Sequence, residues 1–187
     1  RLVLEEIHRF ENRQIERNGH LCWDMEHLWQ GILHGLKACA AAGKIPSTVG
    51  VDTWAVDFVL LDEQDRMLGD AVAYRDARTQ GIPEEVDAVI PPQELYARTG
   101  IQRQAFNTLY HLVALKKEHP EQLEAAKSLL MIPDYFHFLL TGVKRQEYTN
   151  ASSTGLLDAR TRTWDRELIG RLGLPQHLFG RLSMPGE

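Results

Sequence analysis

Apolar residues recur at helical spacing between residues 25 and 39, and this stripe is the clearest structural signal in the chain. Asp24 precedes the stripe as a plausible N-cap, and Gly43 and Pro46 follow it. The pattern therefore predicts a helix that packs one face against a sheet. Weaker patterns of the same kind predict further helices over residues 92–98, 107–119, 133–142 and 163–172.

Short runs of β-branched and apolar residues predict the strands. They cover residues 2–10, 48–61 and 71–74, and a turn at 62–66 suggests that the last two form a hairpin. Residues 12–19 are polar and end in glycine, which predicts a connection, and residues 143–157 are predicted to be extended or looped. This alternation of strands and helices indicates an α/β domain.

Two carboxylates interrupt the apolar run between Gly50 and Asp62. Asp52 and Asp57 stand where a core strand carries no charge, and burying a carboxylate without a partner costs several kcal/mol. The conflict makes this run a candidate functional site. In the alternative interpretation, Asp57 faces water on one side of a strand and Asp52 satisfies a turn; the pattern alone leaves both open.

Composition narrows the class of protein. The 187 residues are 43% hydrophobic, enough for the core of one domain. The net charge of -5 and the scattered basic residues argue against nucleic-acid binding. Residues 1–10 lack the long apolar stretch of a signal peptide and no run is long enough to span a membrane, so we expect no membrane partner and a cytoplasmic location.

Two sequence runs carry a resemblance to a known family. Val51–Leu61 and Ala73–Thr79 together resemble the N-terminal domain of the FGGY carbohydrate kinases. Within that family, the residue sequence from Thr53 to Phe58 is similar to the corresponding segment of the rhamnulokinase group. Further segments agree in order and spacing, at residues 6–10, 106–110, 129–136 and 147–152, so that the resemblance covers nearly the whole chain.

The resemblance implies the ribonuclease-H-like fold shared by sugar kinases, hexokinase and actin. Family members begin with a strand and a phosphate-gripping turn, and their second domain brings the catalytic Asp and most adenine contacts. Residues 1–187 are therefore expected to form a single partial N-terminal domain, on the sugar-binding side, that lacks the first strand and the nucleotide-binding domain. The chain also lacks a P-loop pattern.

The expected cofactors are ATP and Mg²⁺, both bound by the full-length protein. The expected partners are a small sugar and the protein's own C-terminal domain. By this resemblance no catalytic, nucleotide-binding or metal-binding residue lies within residues 1–187, and the chain alone should be inactive.

A sugar pocket needs short polar groups, backbone donors and a flat apolar wall. The resemblance aligns Ala55 with a small residue, often Gly, that lets the sugar approach the backbone. It aligns Tyr74 and Phe106 with aromatic wall positions, although ordinary core packing is the alternative for both. The predicted sugar-contacting residues are Thr53, Trp54, Ala55, Asp57, Tyr74 and Phe106.

Other polar residues carry weaker expectations. Asp134 follows Pro133 and is expected to cap the helix that begins there. Arg75, Asp76 and Arg78 either touch sugar hydroxyls or lock their loop through paired charges. The polar residues Thr149, Asn150 and Ser152 either support the pocket or border a domain hinge, and loop polarity alone would produce the same sequence.

The function implied by the resemblance is transfer of the γ-phosphate of MgATP to the 1-hydroxyl of L-rhamnulose. One alternative is another FGGY ketose kinase, acting on L-fuculose or L-xylulose. The other is a sugar-binding module that has lost phosphoryl transfer.

Overall fold

The computed structural model describes residues 2–187 of the chain. Its helices are α1 Met25–Ala41, α2 Ile82–Val89, α3 Pro92–Thr99, α4 Thr108–Glu118, α5 Pro120–Ala125, α6 Ile132–Thr141, α7 Tyr148–Ala151 and α8 Arg166–Arg171. Its strands are β1 Gln14–Arg17, β2 His20–Trp23, β3 Phe58–Leu61, β4 Ser128–Met131, β5 Gln146–Glu147, β6 Leu157–Asp158, β7 Thr163–Trp164 and β8 Leu182–Ser183.

The ribbon formed by β3 and β4 divides the hydrophobic core in two. The strands pair antiparallel, with Phe58 opposite Met131 and Leu61 opposite Ser128. Because successive strand residues face opposite sides, Phe58 and Met131 join one core with residues of α2, α3, α4 and α8. Leu61 joins the other core, which includes residues of α1 and α6.

The helices with clear local signals are confirmed. The Asp24 carboxylate accepts a hydrogen bond from the backbone N–H of His27 at 3.2 Å and so caps α1. Helix α3 ends at Gly100 and α6 ends at Gly142, and both glycines adopt the left-handed conformation that a helix C-terminus favours. The helix predicted over residues 107–119 is present as α4. The helix predicted over residues 163–172 is present only from Arg166, as α8, because Thr163 and Trp164 form strand β7.

The predicted strand at residues 2–10 is wrong, because that segment has no regular secondary structure. The Phe10 ring instead packs against Gly31 of α1. The strands near this end are β1, in the segment expected to be a connection, and β2, which follows that segment. Asn18 and Gly19 join them with positive φ angles of 52° and 84°, as in the type I′ turn that an Asn-Gly pair favours.

The predicted hairpin of residues 48–61 with 71–74 is also wrong. Only the end of the first run is a strand, and β3 pairs with β4 rather than with residues 71–74. Residues 71–73 lie beside β2, where the Ala73 N–H donates to the Leu21 carbonyl at 2.8 Å. The turn after β3 is confirmed: the Asp62 carboxylate accepts from the N–H groups of Gln64 and Arg66.

Two further segments differ from expectation. The sequence pattern predicted no helix over residues 82–89, but Gly81 is the N-cap of α2 and Pro83 lies in its first turn. Residues 143–157, predicted to be extended or looped, include β5, the short helix α7, a 3₁₀ turn and the start of β6.

Candidate functional site

Asp57 forms the centre of a buried hydrogen-bonded cluster immediately before β3. Its side chain is 2% exposed, and its Oδ2 atom accepts hydrogen bonds from the indole N–H of Trp23 at 2.6 Å and of Trp54 at 2.8 Å. The backbone N–H of Tyr74 donates to the same atom at 3.2 Å. The carboxylate that has no evident partner in the apolar run is thus stabilised by hydrogen-bond donors from three separate segments.

Burial raises the pKa of the Asp57 carboxyl to about 6, although the hydrogen bonds from the two indoles and from Tyr74 act in the opposite direction. The second oxygen, Oδ1, is buried and has no hydrogen-bond partner within residues 2–187. The interpretation in which Asp57 faces water is therefore wrong. Asp52 is exposed.

A strained turn places Asp57 inward and leaves Ala55 outward. Val56 has a φ of 70°, a conformation that costs a β-branched residue on the order of 1–3 kcal/mol. The hydroxyl of Thr108, at the start of α4, donates to the Val56 carbonyl at 2.7 Å and holds the turn in place. Strain of this kind is most common where the backbone serves a ligand site.

Four aromatic rings form a row beside this turn. The Trp54 and Trp23 ring centroids are 4.1 Å apart, and Tyr74 follows at 6.4 Å from Trp23. The Phe106 ring meets Tyr74 edge to face at 6.1 Å and remains 41% exposed. The row can offer the flat apolar wall that the C–H face of a sugar prefers.

A cavity of about 500 Å³ opens on the outward side of the turn. Thr53, Trp54 and Ala55 line it, and Asp134 and Asn150 lie among the residues that line it with them. Tyr74 and Phe106 do not line this cavity. The structure therefore brings Trp54, Asp57, Tyr74 and Phe106 into one cluster, and places Thr53 and Ala55 with Trp54 on the cavity wall.

Asp134 does not have the capping role expected for it. Helix α6 begins at Ile132 and receives no side-chain cap. Asp134 instead is 3% exposed, and both its oxygens accept from the backbone N–H of Glu147 at 3.3 Å. Burial raises the pKa of the Asp134 carboxyl to about 7.

We expect Asp134 to make the stability of the protein depend on pH. A carboxyl whose pKa is raised by folding holds its proton more tightly in the folded state, so its contribution is present at low pH and lost as the pH rises from about 4 to 7. The variant Asp134→Asn has no ionisable group at this position, so it should not lose this stability as the pH rises. In urea unfolding, the stability of the variant relative to the parent should rise by up to about 4 kcal/mol across that interval.

Asp158→Asn is the matched control. Hydrogen bonds from the N–H groups of Thr161 and Arg160 lower the pKa of Asp158, so its removal should change the pH dependence in the opposite direction. A stability difference between Asp134→Asn and the parent that is constant with pH would contradict the assignment.

Sequence reasoning missed Trp23. This indole lies at the end of β2, 34 positions before Asp57, and it appears in the sequence as one more apolar residue of a core. No local pattern marks it. The only available signal was Asp57 itself, because a buried carboxylate requires donors and an indole N–H is one of the few that an apolar segment can supply.

A comparison with known protein families shows which family the chain belongs to. The model of the FGGY family of carbohydrate kinases, N-terminal domain, matches residues 3–187. The chain belongs to the FGGY family of carbohydrate kinases. This places the Asp57 cluster and the cavity beside it in the N-terminal domain of an FGGY protein.

Bacterial rhamnulokinases are among the curated FGGY proteins most similar to the chain. The rhamnulokinase of Halalkalibacterium halodurans is 55% identical over 187 residues, covering 100% of this chain and 40% of the relative. That of Oceanobacillus iheyensis is 52% identical over 185 residues, covering 99% of the chain and 39% of the relative. The chain thus spans about two fifths of the length of these relatives.

Solved FGGY structures support the fold. A xylulose kinase from Rhodospirillum rubrum superposes with a TM-score of 0.81 at 19% identity, covering 92% of this chain and 37% of that one. A ligand-bound xylulose kinase from Lactobacillus acidophilus gives 0.78 at 22% identity, covering 94% and 36%. At this identity the likeness concerns the fold alone, and it confirms the expected sugar kinase fold.

Two structural observations concern metal ions and membranes as possible partners of the FGGY chain. Across residues 2–187, no group of three or more His, Cys, Asp or Glu side chains is arranged to hold a metal ion. No helix in the same range is both long and apolar enough to cross a bilayer.

Proposed function

We propose that the chain is the sugar-binding domain of an ATP-dependent kinase that phosphorylates the 1-hydroxyl of L-rhamnulose. The observation that carries the proposal is the high identity with named rhamnulokinases along the whole chain. The strained turn, the aromatic row and the adjoining cavity support it, because together they suit a small polyol.

Each site residue has a role in this proposal. Ala55 presents backbone and a single methyl group to the sugar, and Thr53 offers a hydroxyl beside it. Trp54 supplies the apolar wall inside the cavity, and Tyr74 and Phe106 extend the aromatic row beyond it. Asp57 fixes the positions of Trp54 and Tyr74, since its Oδ2 atom accepts hydrogen bonds from the Trp54 indole and from the Tyr74 backbone.

The remaining chemistry is assigned to the rest of the full-length protein. Phosphoryl transfer needs an in-line arrangement of the sugar hydroxyl and the γ-phosphate, and a carboxylate that accepts the hydroxyl proton. Residues 2–187 contain no group of three or more His, Cys, Asp or Glu side chains arranged to hold a metal ion. We propose that the base, the nucleotide contacts and Mg²⁺ are provided by a C-terminal domain that closes over the cavity, and that the whole enzyme is cytoplasmic.

A substrate panel tests this function directly. Release of ADP from MgATP would be followed for the full-length protein with L-rhamnulose, L-fuculose, L-xylulose, D-xylulose and glycerol. The expected result is a kcat/KM for L-rhamnulose at least about tenfold above each of the others, because a site that hydrogen-bonds substrate hydroxyls rejects sugars in which they are misplaced.

The other outcomes are equally informative. Preference for a different sugar would keep the family and replace the substrate. Binding of L-rhamnulose by calorimetry without turnover on any sugar would favour a non-catalytic sugar-binding module.

A further inference from the structure

A second cavity, of about 330 Å³, lies on the opposite face of β3 from the Asp57 cluster. Phe58 and Cys22 line it, whereas their sequence neighbours Asp57 and Trp23 bond to each other on the other side. Successive residues of a strand face opposite sides, which explains the separation. This second cavity is therefore distinct from the proposed sugar site.

Arg78 is the unusual residue in the wall of the second cavity. Its Nε atom donates to Nδ1 of His111 at 2.9 Å, and its guanidinium carbon lies 5.9 Å from the centre of the Phe58 ring. Within residues 2–187 its side chain makes no ion pair and no second hydrogen bond. Burial lowers the pKa of the guanidinium, although the negative charges of Asp76 and Glu118 act in the opposite direction.

The histidine that Arg78 contacts brings no opposite charge. Burial, followed by the positive charge of Arg78, lowers the pKa of His111 to about 3. His111 is therefore neutral at physiological pH and can only accept the hydrogen bond from Arg78. The two terminal nitrogens of the guanidinium have no hydrogen-bond partner within residues 2–187, and Arg78 lines the cavity.

None of the nearby carboxylates in the described part of the chain lies within ion-pair distance of the Arg78 guanidinium. Asp76 accepts from the Leu21 N–H at 2.7 Å and lies 3.0 Å from His20. Glu118 lies 3.8 Å from the other ring nitrogen of His20, and Asp70 pairs with Arg17 at 3.3 Å. The charged groups in the wall of the cavity are thus the Arg17–Asp70 pair, the Glu118 carboxylate and the Arg78 guanidinium, and no carboxylate among the described residues contacts Arg78.

We propose that the second cavity binds a small hydroxylated carboxylate whose carboxylate group pairs with Arg78. A buried charge is stable when it is paired, and the planar guanidinium matches a carboxylate with two parallel hydrogen bonds. A single negative charge fits best, because Asp70 and Glu118 on the wall repel a second one. Asn18, His119 and Gln122 are among the lining residues that can bond the hydroxyls.

Glycerate is the probe for this site, measured by isothermal titration calorimetry on the full-length protein. We expect saturable binding in the parent, and Arg78→Gln should weaken it at least about tenfold through loss of a charge-assisted hydrogen-bonded pair. Arg160→Gln removes the same charge from an exposed position and should leave the affinity unchanged.

A second substitution keeps the test decisive if Arg78→Gln does not fold. Glu118 has a side chain that is 37% exposed, so Glu118→Gln should fold, and loss of its negative charge should tighten glycerate binding by about threefold. Tyr74→Ala, in the proposed sugar site, should leave glycerate binding intact.

Comparison ligands identify what the cavity recognises. Glycerol, which lacks the carboxylate, should not displace glycerate. The proposal is overturned if the parent shows no saturable glycerate binding, if neither charge substitution alters the affinity, or if Tyr74→Ala abolishes it. Binding of inorganic phosphate in place of glycerate would also overturn it and would assign the site to phosphate.

Discussion

Ala55→Arg in the full-length protein is expected to lower kcat/KM for L-rhamnulose about 100-fold, mainly by raising KM. Ala55 is exposed on the wall of the 500 Å³ cavity. An arginine there fills the space that the proposed sugar needs, and misplacement of a substrate by about 1 Å can cost about 100-fold in rate. Steady-state ADP release with varied L-rhamnulose measures the effect.

Ala41→Arg is the matched control for this substitution. Ala41 is exposed at the C-terminal end of α1, where a positive charge is favourable, and KM should not change. A thermal unfolding midpoint for Ala55→Arg within a few degrees of the parent would show that folding is intact. An unchanged KM would remove Ala55 from the sugar site.

Asp57→Ala is expected to lower the free energy of unfolding by about 3–5 kcal/mol. The substitution leaves two indole N–H groups and one backbone N–H without their acceptor, and each buried unsatisfied donor costs about 1–3 kcal/mol. Asp57→Asn keeps an acceptor oxygen and should cost less. Urea unfolding followed by tryptophan fluorescence measures both, because two of the indoles lie at this site.

Asp52→Ala provides the control for the Asp57 series. Asp52 is a carboxylate of the same run, but it is exposed, and its removal should change stability by no more than about 0.5 kcal/mol. If Asp57→Ala were as mild as Asp52→Ala, the buried cluster would not be a significant source of stability.

Local signals in the sequence were sufficient to predict helices α1, α3, α4 and α6, whereas α2, α5 and α7 were not predicted. Asp24, Gly100 and Gly142 mark helix ends through interactions with residues a few positions away, so the sequence alone carries the information. The pairing of β3 with β4 depends instead on two segments far apart in the chain. The hydrophobic pattern of either strand suits many partners, and sequence proximity suggested the wrong one.

The candidate site was predictable to a similar extent. Asp57 was conspicuous because its charge conflicts with its apolar surroundings, and the structure places Trp54, Tyr74 and Phe106 around it. Trp23 was not predictable, since its contribution is a single hydrogen bond that exists only once β2 lies beside the turn. Asp134 was assigned a local capping role, whereas its actual partner, Glu147, follows the helix.

The positive φ of Val56 makes the shape of the cavity wall and the stability of the domain interdependent. The turn stays closed only while the Thr108 hydroxyl and the Asp57 cluster hold both sides of it. Glycine would accept this backbone without strain, but it would also allow the turn to open and Ala55 to move. Selection for greater stability at this position would therefore act against a fixed geometry of the proposed sugar site, which would be a stability–activity trade-off confined to one peptide unit.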